Sequence, residues 1–514
     1  MKRILLALAA AAAMLVSCNE PAPDHIDLVT INSFGFYAKD NPKFLTEDYV
    51  VNGVDNSATS IKIAIPYGIR IDSLIARFEL PKPAIATNNG TEVISGDTPL
   101  DYTKAVDLIF TQGENSRQIT VNVVPPASAG WELMAESESK VSDIFTMAIN
   151  PKDNMPYFLA RTENVTIPNP EDESKPIESG QFPILLAPKS GILTNIAGNL
   201  NEYKTDYLAL DFTNEGTAYA VFKDNSEEAG GKSSVVRIKD GKSEFIGKGV
   251  LTKNGGNKIG SAAVTAISDN NVYTFQYDND SKTGLRRAIF AANYNGSDWT
   301  TKIQLPGREL NERSWTVISK KINGVPYLYV LNFAKISMSV YKFENDKWID
   351  YLGEIKPVAI DGNTPITTAE YRYGSQDFDI ASNGDIYIAC SADFSEAGVK
   401  NVAVVKISKT SEGALTQSIV GGGIIKGLEI EKIRDISLSL DKNDVPYLAY
   451  GNVLLSDKPA GIMHIDSQTK AWTEPTLIHA HTENISLKFA EDGSGYLSYY
   501  DKNSEKLVCM KKID

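Results

Sequence analysis

The chain has 514 residues, with 51 Lys+Arg against 65 Asp+Glu for a formal net charge of −14, and only 4 His and 3 Cys. A hydrophobic fraction of 42% with 37 Gly is ordinary for a globular protein and excludes collagen-like or wholly disordered structure. The acidic balance argues against nucleic acid as a partner, and so few His leave little room for His-rich metal sites.

Residues 1–17 begin with Lys2 and Arg3 and continue as an alanine-rich apolar run. The run is too short to be a good membrane-spanning helix and reads as a signal peptide. It ends in Leu15-Val-Ser-Cys18, which resembles the lipobox of bacterial lipoproteins. That resemblance implies cleavage before Cys18, lipid on its thiol and new amino terminus, and anchoring in a membrane through several acyl chains. Loss of Lys2 and Arg3 takes the net charge from −14 to −16. Residues 18–25 form a tether. Cys390 and Cys509 both lie in apolar strand-like runs and are expected as buried free thiols.

Residues 26–124 alternate in a β-like manner, as in Ile61-Lys-Ile-Ala-Ile65 and Gln118-Ile-Thr-Val-Asn-Val123. Pro66, Pro81, Pro83 and Asn88-Asn-Gly90 punctuate them, and no helical period appears. About 100 residues of short strands suit an immunoglobulin-like β-sandwich. With Ile31-Asn-Ser-Phe-Gly-Phe36 at its start, the segment resembles the small β domains that open many Bacteroidetes surface lipoproteins. Residues 125–130 read as a linker.

From residue 131 to residue 514 the chain repeats. A turn followed by a tyrosine-bearing strand recurs at Tyr157, Tyr219, Tyr273, Tyr327, Tyr387, Tyr447 and Tyr496, with gaps of 62, 54, 54, 60, 60 and 49 residues. An all-β repeat of this length resembles the blades of a β-propeller. Each unit is expected to hold an apolar first strand such as Asp435-Ile-Ser-Leu-Ser-Leu440, the turn, the Tyr strand, a third strand such as Val402-Ala-Val-Val-Lys-Ile407, and a fourth that often carries Trp (Trp299, Trp348, Trp472). The last unit stops after its third strand. Ala129-Gly-Trp131-Glu-Leu-Met134 supplies a fourth, so the expected architecture is a seven-bladed β-propeller closed by an N-terminal strand at about residues 129–134. An eighth, degenerate blade inside the long units is the competing count.

A polar residue recurs where each first strand begins: Asp143, Asp206, Ser314, Asp377, Asp435 and Asn484, with Ala262 as the exception. Such a ring could hold a cation at the channel mouth, or it could cap backbone N–H groups of the adjoining turns; its regular recurrence favours capping. In propellers, ligands usually lie on the face formed by loops leading into each first strand. Those loops here carry Arg308, Arg313, Trp315, Tyr371, Arg372, Tyr373, Arg434, His479 and His481, whose aromatic faces and guanidinium donors would suit a sugar or a carboxylate-bearing ligand. His479 and His481 share one side of an extended segment, but no third ligand can be named, so no metal is expected; nor is a cofactor. Nucleophile elbows, phosphate-cradling glycine loops and sialidase-type Ser-x-Asp-x-Gly-x-x-Trp boxes are all missing, and no catalytic residue can be assigned. Resemblance to Bacteroidetes lipoproteins implies an outer-membrane protein, on the cell surface or the periplasmic face, whose propeller captures polysaccharide or glycoprotein. The alternatives are a docking platform for outer-membrane proteins and, third, a carbohydrate-active hydrolase or lyase with two carboxylates.

Overall fold

A computed structural model of the chain describes residues 29–45, 47–65, 70–80, 84–124, 130–167, 177–249, 263–280, 285–309, 311, 313–314, 316–332, 337–355, 376–393, 400–422, 425, 428, 435–451, 460–479 and 482–513. The signal peptide, the tether and Cys18 therefore lie outside the described residues. Apart from one short 3-10 turn, Val420–Gly422, all regular structure among the described residues is β-strand, and the chain divides into two compact units, Met1–Pro126 and Ala127–Asp514.

The first unit is built from two sheets. One has the order Tyr49–Val54, Ile31–Phe36, Leu74–Glu79, Pro99–Leu100; the other runs Ser60–Ala64, Asn115–Val124, Val106–Gln112, Ile85–Asn88, Thr91–Glu92. Alternation decides which face is covered: Val106, Leu108 and Phe110 are buried while Asp107, Ile109 and Thr111 are exposed. These side chains join Phe34, Phe36, Leu74, Tyr102, Ile119 and Val121 in one core. Ser60–Ala64 pairs in parallel with Asn115–Val124, Ile61 opposite Val121. Gly35 is required for close approach, because a Cβ there would lie 2.5 Å from the Tyr49 carbonyl oxygen. Buried Arg117 donates to the carbonyls of Val29 at 3.0 Å and Ala58 at 2.9 Å, which ties the chain entering the unit to its central strand.

Five four-stranded antiparallel sheets of the second unit follow the chain strand by strand. Their first strands are Leu208–Phe212, Ala263–Ser268, Val317–Ile322, Gln376–Ile380 and Asp435–Leu440. An eight-stranded sheet supplies the remainder. Half of it is Val141–Asn150, Met155–Thr162, Pro183–Lys189 and Ile192–Asn199; the other half is Trp131–Ser137, Lys506–Lys512, Gly495–Asp501 and Thr482–Phe489. The two halves are joined by strand pairing where Glu136 and Ser137 lie parallel to Ile192 and Leu193, and by a shared core of Phe145, Phe158, Leu186, Tyr496, Leu507 and Cys509. Trp131–Ser137 pairs antiparallel with Lys506–Lys512, from Trp131 opposite Lys512 to Glu136 opposite Val508. Each first strand neighbours the next, and Thr482–Phe489 neighbours Val141–Asn150, so the first strands close into a ring around a bore: the unit is a β-propeller.

Local chemistry explains the repeat. After the first strand, the N–H of Ala490 donates to Ser494 O and that of Gly493 to Ala490 O, and the same pair of bonds recurs at Thr213–Gly216–Thr217, Ala381–Gly384–Asp385 and Asp441–Asp444–Val445. This turn needs one residue in the left-handed region, supplied by Gly216, Gly384, Asp444 and Gly493 at φ of 85°, 88°, 60° and 90°. The repeated tyrosines pack between sheets: Tyr157 against Phe212, and Tyr447 against Phe489, with ring centroids 5.1 and 4.9 Å apart. Trp299 and Trp348 stand in fourth strands, whereas Trp472 lies ahead of its fourth strand, Thr476–His479, in a bridge opposite Ile465; all three lean back onto the preceding sheet. Trp299 Nε1 donates to Ile246 O at 2.8 Å, Trp472 Nε1 donates to Val420 O at 3.2 Å, and Trp348 packs edge-on against Phe275. Cys390 and Cys509 are buried free thiols in different sheets; burial pushes Cys390 up to about 12 and raises Cys509 as well, so neither serves as a nucleophile. A hairpin of Asn164–Ile167 and Ile177–Gly180, inserted between the second and third strands of the first repeat, accounts for that repeat's length.

Candidate functional site: the central bore

The first strands leave a cavity of about 620 Å³ lined by their own side chains and by the turns that follow them. Six of its charged members come from four first strands, and Asp441, Lys442, Asp444 and Glu491 come from the turns that follow. Lys320 and Lys321 are consecutive and leave Val317–Ile322 on opposite sides, as strand geometry requires. Lys320 reaches forward to Asp377 at 3.0 Å and to the Leu438 carbonyl at 2.9 Å. Lys321 reaches back to Asp211 at 2.8 Å and to the Phe212 carbonyl. Two ammonium groups from one strand thus strap the bore, each engaging a carboxylate and a main-chain carbonyl.

The carboxylates also serve the ring. Neighbouring first strands splay too far for a backbone ladder, and side chains supply the acceptors instead. Asp211 accepts from Ala266 N at 2.8 Å, Asp377 from Leu438 N at 2.8 Å and Ser437 Oγ at 3.0 Å, and Asp379 from Leu440 N at 2.8 Å and Ser439 Oγ at 3.1 Å. Asp435 accepts from Asn484 N at 2.9 Å, and the Asn484 side chain donates to Asp143 O at 2.8 Å. The polar residues at the strand starts therefore do not chiefly cap their own turns, as sequence spacing suggested. Asp377, Asp435 and Asn484 bond the first strand of the following sheet, while Asp143 and Asp206 flank the buried Arg161 at 3.2 and 4.0 Å.

Lys488, from Thr482–Phe489, also lines the cavity. Among the described residues no hydrogen bond or ion pair holds its ammonium. Burial lowers its pKa, the Lys320 charge lowers it further, and the Asp377, Asp379 and Asp211 charges only partly oppose this. The sign of the pH effect follows. The folded chain resists protonating Lys488, so from its folded-state value up to the ordinary 10.5 the unfolded chain binds more protons, and stability rises with pH across that window. Lys488→Met should remove this rise and melt higher than the native chain at neutral pH. Thermal melts at several pH values from about 7 to about 10 check it; parallel curves for the two chains would refute it.

Arg308 is only 7% exposed, and its guanidinium lies 3.4 Å from the buried hydroxyl of Ser339, on the sheet that follows its loop. Arg313 is exposed with φ at 52°. His479 ends the strand Thr476–His479, its backbone opposite Ala460. Trp315, Tyr371, Arg372, Tyr373, Arg434 and His481 lie outside the described residues. Arg308 and Arg313 are absent from the cavity lining, whose charged residues come instead from the first strands and the turns that follow them. A partial signal existed in the sequence: Asp377-Phe-Asp379 sets two charges in a strand that is buried throughout, whereas Lys320, Lys321 and Lys488 stand in half-exposed strands that give no such mark.

The chain matches no family model, and no curated protein matches it. Among solved structures it is similar to a protein of unknown function from Dyadobacter fermentans (11% identity, 75% of this chain and 100% of that one, TM-score 0.39). It is also similar to a DUF4623 family protein from Bacteroides eggerthii (11% identity, 94% and 99%, TM-score 0.32). A third is an α-L-arabinanase from Penicillium chrysogenum complexed with arabinobiose (11% identity, 60% and 92%, TM-score 0.38). Likeness at this level carries no argument about activity.

Proposed function

We propose that the protein is a lipid-anchored outer-membrane protein that captures glycan. In this reading Cys18 carries the anchor, an immunoglobulin-like sandwich is the spacer, and a seven-bladed propeller, its last blade completed by Trp131–Ser137, binds the ligand. The observation that carries the ligand class is the lining of the bore. About 620 Å³ falls within the range of small-ligand sites, and Ser319, Ser437, Ser439 and Ser486 stand there among aromatic Phe145, Phe212 and Phe489 and fixed ammonium and carboxylate groups. Fixed donors and acceptors beside ring faces suit a polyhydroxylated ligand. The carboxylates are already engaged by backbone N–H groups and lysines, which speaks for binding over acid–base catalysis.

Two measurements test the proposal. A glycan array probed with the purified chain should give binding that Lys320→Met weakens; an empty array would end the glycan reading and turn attention to the docking role. In the native host, Cys18→Ser should move the protein from the membrane fraction to the soluble one. An unchanged distribution would refute the anchor.

A further inference from the structure

Resting on the glycan reading, we infer that Lys488 is the recognition point for the carboxylate of an acidic sugar, so that the ligand class is a uronate-bearing glycan taken up together with a proton.

The inference starts from how the charges in the bore are used. Lys320 is engaged by Asp377 and Lys321 by Asp211, while Asp379 accepts from Leu440 N, Ser439 Oγ and its neighbour Ile380 N. Each of those groups has its partner. Lys488 lines the same cavity half-buried, and among the described residues no hydrogen bond or ion pair holds its ammonium. A side chain left in that condition either gives up its proton or waits for an acceptor from outside. A carboxylate is the acceptor that fits: it matches the charge and forms the stronger, charge-assisted kind of hydrogen bond. The hydroxyls of Ser437, Ser439 and Ser486 line the same space for the rest of the sugar.

The remaining charged groups say in which state the ligand is taken. Desolvation in the bore and the Lys320 charge from Val317–Ile322 weaken the hold of Lys488 on its proton, and Asp377 and Asp379 from Gln376–Ile380 and Asp211 from Leu208–Phe212 only partly oppose this. Lys442, Asp441, Asp444 and Glu491 stand on the turns at the cavity's end and make that approach acidic overall. A bare anion is therefore poorly received. An anion arriving with a proton for Lys488 leaves the total charge of the bore unchanged, and the new pair then holds that proton. Binding should take up a proton and weaken as pH rises.

The experiment is titration calorimetry on the full chain with an oligogalacturonide and with a neutral galacto-oligosaccharide of the same length, each in two buffers of different ionisation enthalpy. The expected result is tighter binding of the uronide with proton uptake, and affinity falling as pH is raised. Lys488→Met should weaken the uronide about tenfold or more and leave the neutral sugar nearly unchanged. Lys488→Arg, always charged, should keep uronide binding and abolish proton uptake, which a merely structural role would not do. Equal binding of the two sugars without proton uptake would overturn the inference and leave the glycan reading standing. Failure of both sugars to bind would overturn the two together.

Discussion

A chain ending at Glu505 is expected to lose the cooperative unfolding transition of its propeller. The truncation removes Lys506–Lys512, the strand paired on one side with Gly495–Asp501 and on the other with Trp131–Ser137. Leu507, Val508 and Cys509 are 0% exposed and Met510 3%. Burial of four such side chains is worth on the order of 6–12 kcal/mol, as much as the whole net stability of a typical domain. The loss goes beyond area, because two strand edges are opened at the point where the ring closes. Trp131→Ala is the graded version: Trp131 is buried opposite Lys512, and its truncation should cost about 3–5 kcal/mol. Calorimetric melts and limited proteolysis read both changes. A truncated chain that melts cooperatively within a few degrees of the native one would show that the closing strand is dispensable.

The second large effect is expected at Asp377. Replacement by alanine leaves Lys320 in the bore without its carboxylate and the Leu438 N–H without its acceptor. Breaking a buried ion pair from one side costs about 3–5 kcal/mol, most of it the uncompensated charge left behind. Asp377→Asn keeps an oxygen for Leu438 N and Ser437, so its cost isolates the charge. Adding Lys320→Met to Asp377→Asn should then restore most of the stability, because Met fills much of the Lys320 volume over the Phe378 ring, where the ammonium now sits 5.6 Å from the centroid. Urea unfolding of the two single variants and the double variant completes the cycle. Simple additivity of the two costs would mean that the pair does not act as one unit.

Much of the repeat was legible because it is local. The Asn, Asp and Gly turns must supply a left-handed residue, the tyrosines must follow at a fixed distance, and Trp131 stands out as a fourth-strand tryptophan ahead of the first repeat. The site was not legible in this way. Alternation says that Lys320 and Lys321 point apart, but not that one reaches Leu438 and the other Phe212, more than a hundred residues away in either direction. Lys488 reads in sequence as an ordinary solvent-facing strand residue; only ring closure turns that face inward. Arg308 shows the converse, since a guanidinium on a loop looks available until packing buries it against the following sheet. In the first unit, the parallel pairing of Ser60–Ala64 with Asn115–Val124 was also hidden, because a two-residue period carries no strand direction.

The bonds between first strands also run in one direction. Asp211, Asp377, Asp379 and Asp435 each offer a side-chain oxygen to the main chain of the sheet that follows, at Ala266, Leu438, Leu440 and Asn484. The giving position must be a short acceptor, whereas the receiving position must only keep its N–H, which every residue but proline does. Inheritance at the two ends of each bond is thus unequal: the giver is held by the bond itself, while the receiver is held only by its packing, as at buried Ala266 and Leu438. A duplicated or transplanted repeat would find its welcome already present in whatever neighbour it met. Of the receivers, Leu440 and Asn484 also line the bore, so the lining can change there while the main-chain bond is kept.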